Sequence, residues 1–344
     1  MNRILITGNL GYNGVQVTKT LNEAGYETIG FDVNYYPSCF FKLDGYLPDK
    51  QICKDIRRIS PEDLKGVDGV IDLAALSNDA TGELSPKLTD QINRQASIKL
   101  AELAKANGVS KFIFASSCSV YGLYDPDAYA DENSPIKPLT AYAKAKVEAE
   151  SELLKLHDKS FNVTIMRNAT MYGLSPKLRL DLVVNNLAGY AHVYKKVKIL
   201  SDGTPWRPLL SVTDFAQAVV KLLQSQPKYI IYNVGFEDEI YQIRELGEIV
   251  SEIFRAGLEI NKDKTPDERS YKVDFQRFRD EFPEFRPQSS VRKGTVELMK
   301  AYKQYELDES DFAGPKYFRI RWLKDLLSKG YLSENLERID GTDA

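Results

Sequence analysis

The stretch "RILITGNLGYNG", residues 3 to 14, sets the expectation for the fold. Its apolar beginning predicts a short strand, and Gly8, Gly11 and Gly14 follow that strand directly. Val15 to Ala24 then has the spacing of an amphipathic helix. Glycines between a strand and a helix let backbone N–H groups approach a diphosphate, and the helix N-terminus adds partial positive charge. The stretch therefore predicts the start of a dinucleotide-binding unit.

An acidic residue extends this pattern. Thr28 to Phe31 predicts the second strand, and Asp32 stands at its end, where it is placed to accept hydrogen bonds from a ribose diol. A carboxylate there repels a 2′-phosphate, and the following "VNYYPS" has no Arg or Lys to neutralise one. These observations favour NAD over NADP as cofactor. Asp55 and Ile56, in "KDIR", are expected in a loop that holds the adenine.

Apolar runs and amphipathic segments continue to alternate through the first half of the chain. The pattern predicts further strands and helices at Gly69–Leu73, Ile92–Ala106, Lys111–Ala115, Ala141–Leu156 and Val163–Met166. The strand segments are apolar throughout rather than at every second residue, which indicates a parallel sheet covered on both faces. We therefore predict an α/β fold: a Rossmann-type doubly wound parallel sheet with a smaller, interleaved C-terminal substrate-binding lobe.

The chain divides into regions of different pattern. Residues 1–173 are expected to form the NAD-binding Rossmann domain, completed by about 207–235. After residue 173 the pattern loosens into segments that mix Gly, Pro and charge, although Asp214 to Leu223 and Ile243 to Phe254 look helical. We expect residues 174–206 and 236–300 to form the substrate-binding lobe, and residues 301–344 a helical C-terminal tail.

Composition excludes several classes of function. A formal net charge of −3 gives no basic footprint, so nucleic acid and anionic membranes are not expected as main partners. The 3 cysteines show no CxxC spacing, which indicates a reducing compartment. With 2 histidines, a metal site or a Ser-His-Asp triad is hard to assemble, and no metal is expected. We expect a cytoplasmic protein, because neither a leader nor a membrane-length apolar run is found.

The segment "YAKAK" carries the candidate chemistry. Tyr142 and Lys146 are four residues apart on a predicted helix, so they share one face. A nearby ammonium is expected to lower the pKa of the phenol from its usual value near 10 and make it usable as a base. On spacing alone, an ordinary helix rich in Ala and Lys is the better interpretation. The order of elements favours a site: a glycine loop, the hydroxyl-rich strand end "SSCSVYG" at residues 116 to 122, and then the Tyr and Lys.

Over nearly its whole length, the chain resembles the extended short-chain dehydrogenase/reductase family, the NAD-dependent nucleotide-sugar epimerases and dehydratases. The resemblance rests on "TGNLGYNG", Asp32, "LAALSND", Asn93, "SSCSVYG", "YAKAK", "RNATMYG", "PWRPLLSVTD" and "YNVG". It implies an NAD-dependent enzyme that transfers a hydride and a proton at a sugar hydroxyl, usually at C4. It also implies the catalytic roles: Tyr142 as the base, Ser117 as its hydroxyl partner and Lys146 as the ribose-binding lysine.

The same resemblance implies two sets of binding residues. For NAD they are Gly8, Gly11, Tyr12, Asn13, Gly14, Asp32, Asp55, Ile56, Leu73, Ala74, Ala75, Asn93, Tyr142 and Lys146. For a nucleotide-diphosphate sugar they are Ser77, Asp79, Ser119, Asn168, Arg179, Asn186, Arg207 and Arg269. Arg207 and Arg269 are expected to hold the diphosphate, with surface arginines as the open alternative, and Asp79 could instead cap a helix. The family resemblance further suggests a homodimer.

The type of reaction remains open at this point. Related 4,6-dehydratases carry acidic residues beside the catalytic Ser or Thr, whereas Cys118 and Ser119 stand here, so dehydration is disfavoured. A nucleotide-sugar 4-epimerase is preferred. The alternative is a 4-dehydrogenase that releases a keto-sugar, similar to GDP-heptose 4-dehydrogenases. An NAD-sensing binding protein is the non-enzyme alternative, and the presence of Ser117, Tyr142 and Lys146 together opposes it.

Overall fold

A computed structural model of the 344-residue chain describes residues 2–41, 47–125, 127–261 and 269–339. In these ranges the strands are β1 (Arg3–Thr7), β2 (Glu27–Asp32), β3 (Lys50–Cys53), β4 (Gly69–Asp72), β5 (Lys111–Ser117), β6 (Tyr129–Ala130), β7 (Asn162–Asn168), β8 (Thr170–Tyr172), β9 (Lys196–Ile199), β10 (Trp206–Ser211), β11 (Ile231–Val234), β12 (Ile240–Gln242), β13 (Gly257–Ile260) and β14 (Lys272–Val273). The α-helices are α1 (Tyr12–Glu23), α2 (Asp79–Gly82), α3 (Pro86–Asp90), α4 (Ala96–Ala106), α5 (Ala141–Leu156), α6 (Val183–Tyr194), α7 (Val212–Gln224), α8 (Ile243–Phe254), α9 (Gln276–Glu281), α10 (Val291–Gln304), α11 (Glu309–Ala313) and α12 (Arg319–Ser328).

The main sheet has 7 strands in the order β3-β2-β1-β4-β5-β7-β11, and all neighbours run parallel. The chain therefore winds outward from β1 in both directions, and β1 and β4 form the switch point of the sheet. In open α/β sheets, ligands bind beyond the carboxyl ends of the strands at such a point. The predicted α/β class, with a doubly wound parallel sheet, is confirmed.

The sheet is apolar on both faces, as its continuous apolar strands predicted. Leu5 of β1 joins one core with Leu100 of α4 and Leu153 of α5. Ile4 and Ile6 join the core on the opposite face, where α1 and α7 pack. Successive side chains of a strand point to opposite faces, so a strand with helices on both sides is buried at every position.

The helix predicted from Ile92 to Ala106 forms and begins earlier than predicted. Its helical backbone runs from α3 through a π-helical turn, Gln91–Gln95, into α4. Ser85 caps the beginning of α3 and accepts a hydrogen bond from the Leu88 N–H. The π turn inserts one extra residue into the helix, at a point beside the loop that follows β4. Such turns occur frequently at functional sites.

A smaller body lies beyond the carboxyl edge of the sheet. Its core contains Leu187 of α6, Leu246 of α8 and Leu298 of α10, together with the parallel pair β9 and β13. A second, 3-stranded sheet in the order β12-β10-β8 connects this body to the main sheet. The division of the chain into the domains given above stays a prediction.

The C-terminal segment returns to the main sheet. Leu323 and Leu326 of α12, with Leu332 and Leu336 beyond it, belong to the same core as Tyr35, in the loop after β2. No helix of the described residues is long and apolar enough to cross a membrane.

Candidate functional site

Two adjoining cavities open at the carboxyl edge of the main sheet. The first has a volume of about 850 Å³, counting space open to solvent, and lies over β1, β2 and β4. The second encloses about 2100 Å³, counting space open to solvent, and lies between the main sheet and the smaller body. The residues shared by both are Tyr12, Asn13, Leu73, Ala75, Ser77 and Arg179. We call the first the cofactor cavity and the second the substrate cavity, and together they form one cleft.

The glycine loop lines the cofactor cavity, and its glycine positions have no room for side chains. A Cβ on Gly14 would lie 2.1 Å from the Gly8 carbonyl oxygen, and Gly8 has a φ of +67°, which favours glycine. The Gly11 N–H donates to the Gly8 carbonyl at 3.0 Å, which closes the turn. Gly11 is also the N-cap of α1, so no cap side chain occupies the N–H groups of the first turn. Those groups remain available to an anion.

These residues fit a dinucleotide. The Asn13 Oδ1 atom is buried, lines the cavity and has no hydrogen-bond partner among the described residues. Tyr12 begins α1, and its hydroxyl donates to the Gly173 carbonyl at 2.8 Å, which ties the loop to the smaller body. An uncapped helix start, a loop cleared of Cβ atoms and an orphaned amide oxygen are features that a bound diphosphate would use.

Asp32, Asp55 and Ile56 line the same cavity. The Asp32 carboxylate accepts from the Leu10 N–H at 3.1 Å and the Asn34 N–H at 2.7 Å. Asp55 caps a short 3₁₀ turn and forms an ion pair with Arg57 at 2.6 Å, so its carboxylate is already engaged within the chain.

The reason given above for excluding a 2′-phosphate is incomplete. Burial raises the pKa of the Asp32 carboxyl, whereas the positive charges of Lys177 and Arg319 lower that pKa. Both cations therefore lie near this carboxylate. Neither residue is close to Asp32 in sequence. The segment "VNYYPS" has no cation that could neutralise a 2′-phosphate, whereas the fold brings these two cations near Asp32.

The loop after β4 supplies Leu73, Ala74 and Ala75 to the cofactor cavity. The Thr7 hydroxyl accepts from the Leu73 and Ala74 N–H groups, each at 3.1 Å. Asn93 does not line the cavity. Its side chain is fully buried and exchanges hydrogen bonds with the backbone of Leu76, at 2.8 and 3.2 Å. Its contact is with the loop rather than with the cavity.

Ser117, Tyr142 and Lys146 all line the substrate cavity. Ser117 ends β5, and its hydroxyl oxygen accepts from the Ser119 N–H at 3.1 Å. Tyr142 stands in the first turn of α5, whose N-cap is Thr140, and it forms a side-chain hydrogen bond with Ser117. The Lys146 Nζ lies 5.8 Å from the centroid of the Tyr142 ring and 4.4 Å from that of Phe114.

The expected lowering of the Tyr142 pKa is wrong for the protein without ligands. Burial raises the pKa of Tyr142 well above its usual value, and the nearby Asp79 carboxylate raises it further. Burial also lowers the pKa of Lys146 to about 8, although Asp72 and Glu150 oppose that change. Desolvation disfavours the charged form of both groups, and it outweighs their mutual effect. In this state Tyr142 is therefore a protonated phenol.

Charged groups also lie beneath the catalytic residues. Arg167 of β7 and Glu150 of α5 form a buried ion pair with an Nη2–Oε2 distance of 2.7 Å. The Ser116 hydroxyl donates to Glu150, and the Tyr121 hydroxyl lies 3.2 Å from the Arg167 guanidinium. This network fixes the end of β5 against α5, and therefore Ser117 against Tyr142.

The predicted substrate arginines lie in the substrate cavity, and each has protein partners. Arg179 forms an ion pair with Asp181 at 2.9 Å and donates to the Ser77 hydroxyl at 3.1 Å. Arg207 donates to the Trp206 carbonyl at 2.8 Å and to the Arg269 carbonyl. The fold therefore brings together positions that are far apart in the sequence.

Asp79 is the first residue of α2, whose N-cap is Asn78. Its carboxylate accepts from Thr140 and forms an ion pair with Arg269, so it joins α2, the start of α5 and the 269 segment. The alternative that Asp79 itself caps a helix is therefore not what the structure contains.

Three smaller polar residues complete the predicted set, and all line the substrate cavity. The Ser119 Oγ and Asn168 Oδ1 atoms are buried without a hydrogen-bond partner among the described residues. The Asn168 amide donates to the Ser116 and Met166 carbonyls, each at 3.1 Å. Asn186 donates to the Leu180 carbonyl at 2.7 Å, so its amide N–H group is engaged in holding the preceding loop.

Sequence reasoning missed several residues of the cleft. Gly82 packs against α5 so closely that a Cβ there would lie 2.9 Å from the Tyr142 Cβ. Tyr271 lines the substrate cavity, and burial raises its pKa to about 12. Arg319 of α12 lines the cofactor cavity. Gly82 lies in the helix start "LSNDATG", and this position in the sequence could have pointed to it. No local signal marks Tyr271 or Arg319.

No group of 3 or more His, Cys, Asp or Glu side chains is placed to hold a metal ion in the part of the chain that the structure describes.

Comparison with known proteins agrees with this geometry. Residues 4–235 match the model of the NAD dependent epimerase/dehydratase family. The chain is 29% identical over 278 residues to human UDP-glucose 4-epimerase, covering 68% of this chain and 77% of that protein. It is 25% identical over 272 residues to UDP-glucuronate 4-epimerase of Thermodesulfobacterium geofontis, covering 74% of this chain and 81% of that protein.

The fold also matches solved structures. UDP-glucuronic acid 4-epimerase of Bacillus cereus, in complex with UDP-glucuronic acid and NAD, superposes with a TM-score of 0.74 at 22% identity, covering 88% of this chain and 99% of that one. The family match spans the glycine loop, Asp32, Ser117, Tyr142 and Lys146. The chain therefore belongs to the NAD-dependent epimerase/dehydratase family and is an enzyme whose cofactor is NAD.

Proposed function

We propose that this enzyme is a nucleotide-sugar 4-epimerase that acts through Ser117, Tyr142 and Lys146. The observation that carries the proposal is that these three side chains line one cavity, and that this cavity adjoins the cofactor cavity. A sugar carbon in the substrate cavity would there face both the Tyr142 hydroxyl and the mouth of the cofactor cavity. Relatives named as UDP-glucose and UDP-glucuronate 4-epimerases support the same reaction.

The chain's own groups divide the work at the sugar hydroxyl. NAD, when bound, supplies a hydride acceptor and donor and a positive ring charge. Tyr142 acts as the phenolate, after releasing its own proton to solvent when the positive charges of Lys146 and of bound NAD favour that form. It accepts the hydroxyl proton as the carbon is oxidised and returns it after the keto-sugar has turned. Ser117 shares a hydrogen bond with Tyr142 and holds the substrate hydroxyl. Lys146 adds positive charge, which stabilises the phenolate that burial alone disfavours.

The substrate class follows from the cations of the substrate cavity. Arg207 and Arg269 approach each other there, because the Arg207 guanidinium donates to the Arg269 carbonyl. Guanidinium groups bind phosphate oxygens in a bidentate way. We propose that this pair holds the diphosphate of a nucleotide sugar, with the sugar directed toward Tyr142.

Dehydration is disfavoured by the groups beside Ser117. Cys118 is fully buried, and its thiol donates to the Arg167 carbonyl. Burial raises the pKa of that thiol well above its usual value, so it is not a base. Ser119 presents a hydroxyl, and Asp79 is held by Thr140 and Arg269. A 4,6-dehydratase needs a base at C5 and an acid at C6, and these residues do not provide them.

The reaction is tested by incubating the purified protein with UDP-, GDP- and dTDP-hexoses and a GDP-heptose, and following the products by NMR. We expect interconversion of C4 epimers without added NAD. A keto-sugar that accumulates and requires added NAD would replace the proposal with a 4-dehydrogenase. If no nucleotide sugar reacts, the assignment falls.

The role of Tyr142 is tested by Tyr142→Phe. We expect turnover to fall by roughly 10²- to 10⁴-fold, because the proton acceptor is removed. The variant should still bind NAD, since the glycine loop and Asp32 are unchanged. Tyr129→Phe is the matched control, because Tyr129 is 52% exposed and lies outside the cleft. Turnover that survives in Tyr142→Phe would contradict the mechanism.

A further inference from the structure

The C-terminal segment, residues 317–339, lies across the loops that border the cofactor cavity. The Trp322 indole N–H donates to the Tyr35 carbonyl at 2.8 Å, and the Tyr35 hydroxyl donates to the Leu336 carbonyl. Arg58 and Glu337 form an ion pair at 2.9 Å. The loops after β2 and β3 are therefore both tied to this segment, and we call it the strap.

One strap residue reaches the cofactor cavity. Arg319, the first residue of α12, is 2% exposed and lines that cavity with the glycine loop and Asp32. Its guanidinium stacks on the Tyr36 ring, with 4.3 Å from Cζ to the ring centroid. The Nη2 group donates to the Lys177 carbonyl at 3.0 Å. The Nη1 group is buried and has no hydrogen-bond partner among the described residues.

The charge of Arg319 is only partly compensated, because the Asp32 and Asp181 carboxylates lie near it without forming an ion pair with it among the described residues. The two other cations that line the cavity, Lys54 and Arg179, form ion pairs with Asp63 and Asp181, at 2.6 and 2.9 Å. Arg319 forms no ion pair in the described ranges. Its neighbour Cys39 does not compensate it, because burial raises the pKa of that thiol to about 11 and keeps it neutral.

Such an arrangement is unfavourable without a ligand. Burial lowers the pKa of Arg319, and the nearby Arg179 lowers it further, which means that the protein alone does not stabilise the cation. A buried charge with an unsatisfied donor is destabilising unless a partner is supplied. An anion in the cofactor cavity, which Arg319 lines together with Asp32 and the glycine loop, would supply that partner.

We propose that Arg319 binds a phosphate oxygen of the NAD diphosphate through Nη1, so that the strap contributes a direct contact to bound NAD. The glycine loop and the start of α1 would contact the diphosphate from one side, and Arg319 from the other. This inference concerns cofactor binding and does not depend on which sugar reaction the enzyme performs.

The first test compares Arg319→Gln with Arg321→Gln by isothermal titration. Arg321 lies on the same helix, is exposed, and donates to the carbonyls of Phe312 and Ala313. We expect Arg319→Gln to weaken ADP binding roughly 10- to 100-fold, as for loss of a charged hydrogen bond, and to leave adenosine binding unchanged. Arg321→Gln should change neither. An equal loss for ADP and adenosine would overturn the phosphate contact.

The second test separates binding from folding. The nucleotide-free Arg319→Gln protein should melt at or above the temperature of the wild type, because a buried charge that is only partly compensated is removed. Its NAD content on purification, measured by chromatography of the denatured protein, should fall, and NAD should exchange faster on gel filtration. A lower melting temperature together with unchanged ADP affinity would show that Arg319 only holds the fold. A larger loss for NADP than for NAD would place the contact at the 2′-position instead and contradict the proposal.

Discussion

Two buried arginines of this enzyme have opposite surroundings. Arg167, beneath the catalytic strand end, and Arg319, in the wall of the cofactor cavity, are each 2% exposed. Glu150 faces the Arg167 guanidinium with Nη2–Oε2 and Nε–Oε2 distances of 2.7 and 3.1 Å, and Nη1 contacts the Tyr121 hydroxyl. The Arg319 guanidinium contacts the Tyr36 ring and the Lys177 carbonyl, and its Nη1 group has no hydrogen-bond partner among the described residues. A buried cation with all its partners in the chain is part of the scaffold, whereas one with an open donor at a cavity is a binding group.

The scaffold role of the first region follows from its position. Arg167 stands on β7 opposite Ser116 of β5, and Ser116 donates to Glu150 of α5. Ser117 comes next in the chain, and Tyr142 lies two turns before Glu150 on α5. The ion pair therefore fixes the two elements that carry the catalytic residues, without itself lining either cavity.

The largest expected effect breaks the paired region. Arg167→Met should lower the free energy of unfolding by about 3–5 kcal/mol, because Glu150 is left buried without its partner. Urea denaturation measures this loss. The double variant Arg167→Met, Glu150→Leu should recover most of it, since the remaining charge is removed as well. A single variant as stable as the wild type would show that the pair does not hold the strand and helix together.

A smaller effect is expected from a second unpaired cation, Lys177. Its ammonium donates to the Tyr36 carbonyl at 2.6 Å, and burial lowers its pKa to about 8. The unfolded chain, with a lysine pKa near 10.4, therefore binds more protons between these values, and stability rises with pH in that window. From pH 7.5 to 9.0 this adds about 1 kcal/mol to the nucleotide-free wild type.

Lys177→Met isolates that contribution. Its stability, measured by urea denaturation at both pH values, should rise by about 1 kcal/mol less than that of the wild type over the same interval. Lys146, whose pKa burial also lowers to about 8, is present in both proteins and cancels in the difference. Parallel pH profiles would mean that Lys177 is as well solvated as a surface lysine.

The smallest effect on stability is expected for the partly exposed pair of Arg269 and Asp79. The Arg269 side chain is 36% exposed, and ion pairs of this kind contribute at most about 1 kcal/mol. Arg269→Gln should therefore change stability little while raising the substrate KM about 10-fold, as for loss of one charged hydrogen bond to a diphosphate. Arg279→Gln is the control, because Arg279 pairs with Glu237 away from the cleft. An unchanged KM in Arg269→Gln would show that Arg269 is a surface arginine without a contact to the substrate.

Much of the fold was predictable because its signals are local. The apolar strands, the glycines after β1, and Asp32 at the end of β2 each depend on a few neighbouring residues. Tyr142 and Lys146 face the cleft together because their spacing on α5 dictates it. The carboxyl ends of parallel strands meet at one edge, so Ser117 also follows from strand order.

The charge of the cleft was not predictable in this way. The segment "VNYYPS" directly after Asp32 contains no cation, yet Lys177 and Arg319 lie near Asp32 in the fold. The spacing of Tyr142 and Lys146 suggested a lowered phenol pKa, and burial raises it instead. Both differences arise from groups that are distant in sequence or from the exclusion of water, and neither leaves a pattern in a short window.

The sequence by itself determined the parallel sheet and the glycine loop, and it singled out Ser117, Tyr142 and Lys146 as the proposed catalytic residues, because each depends on contacts within one element or between successive ones. Only the tertiary structure decided which buried cations form ion pairs within the chain and which keep an unpartnered N–H group beside the cofactor cavity. It also decided the protonation of Tyr142 and the position of the strap over the cleft. The physical reason is that charge compensation and desolvation depend on everything within a few ångströms in space, however far apart along the chain those groups lie.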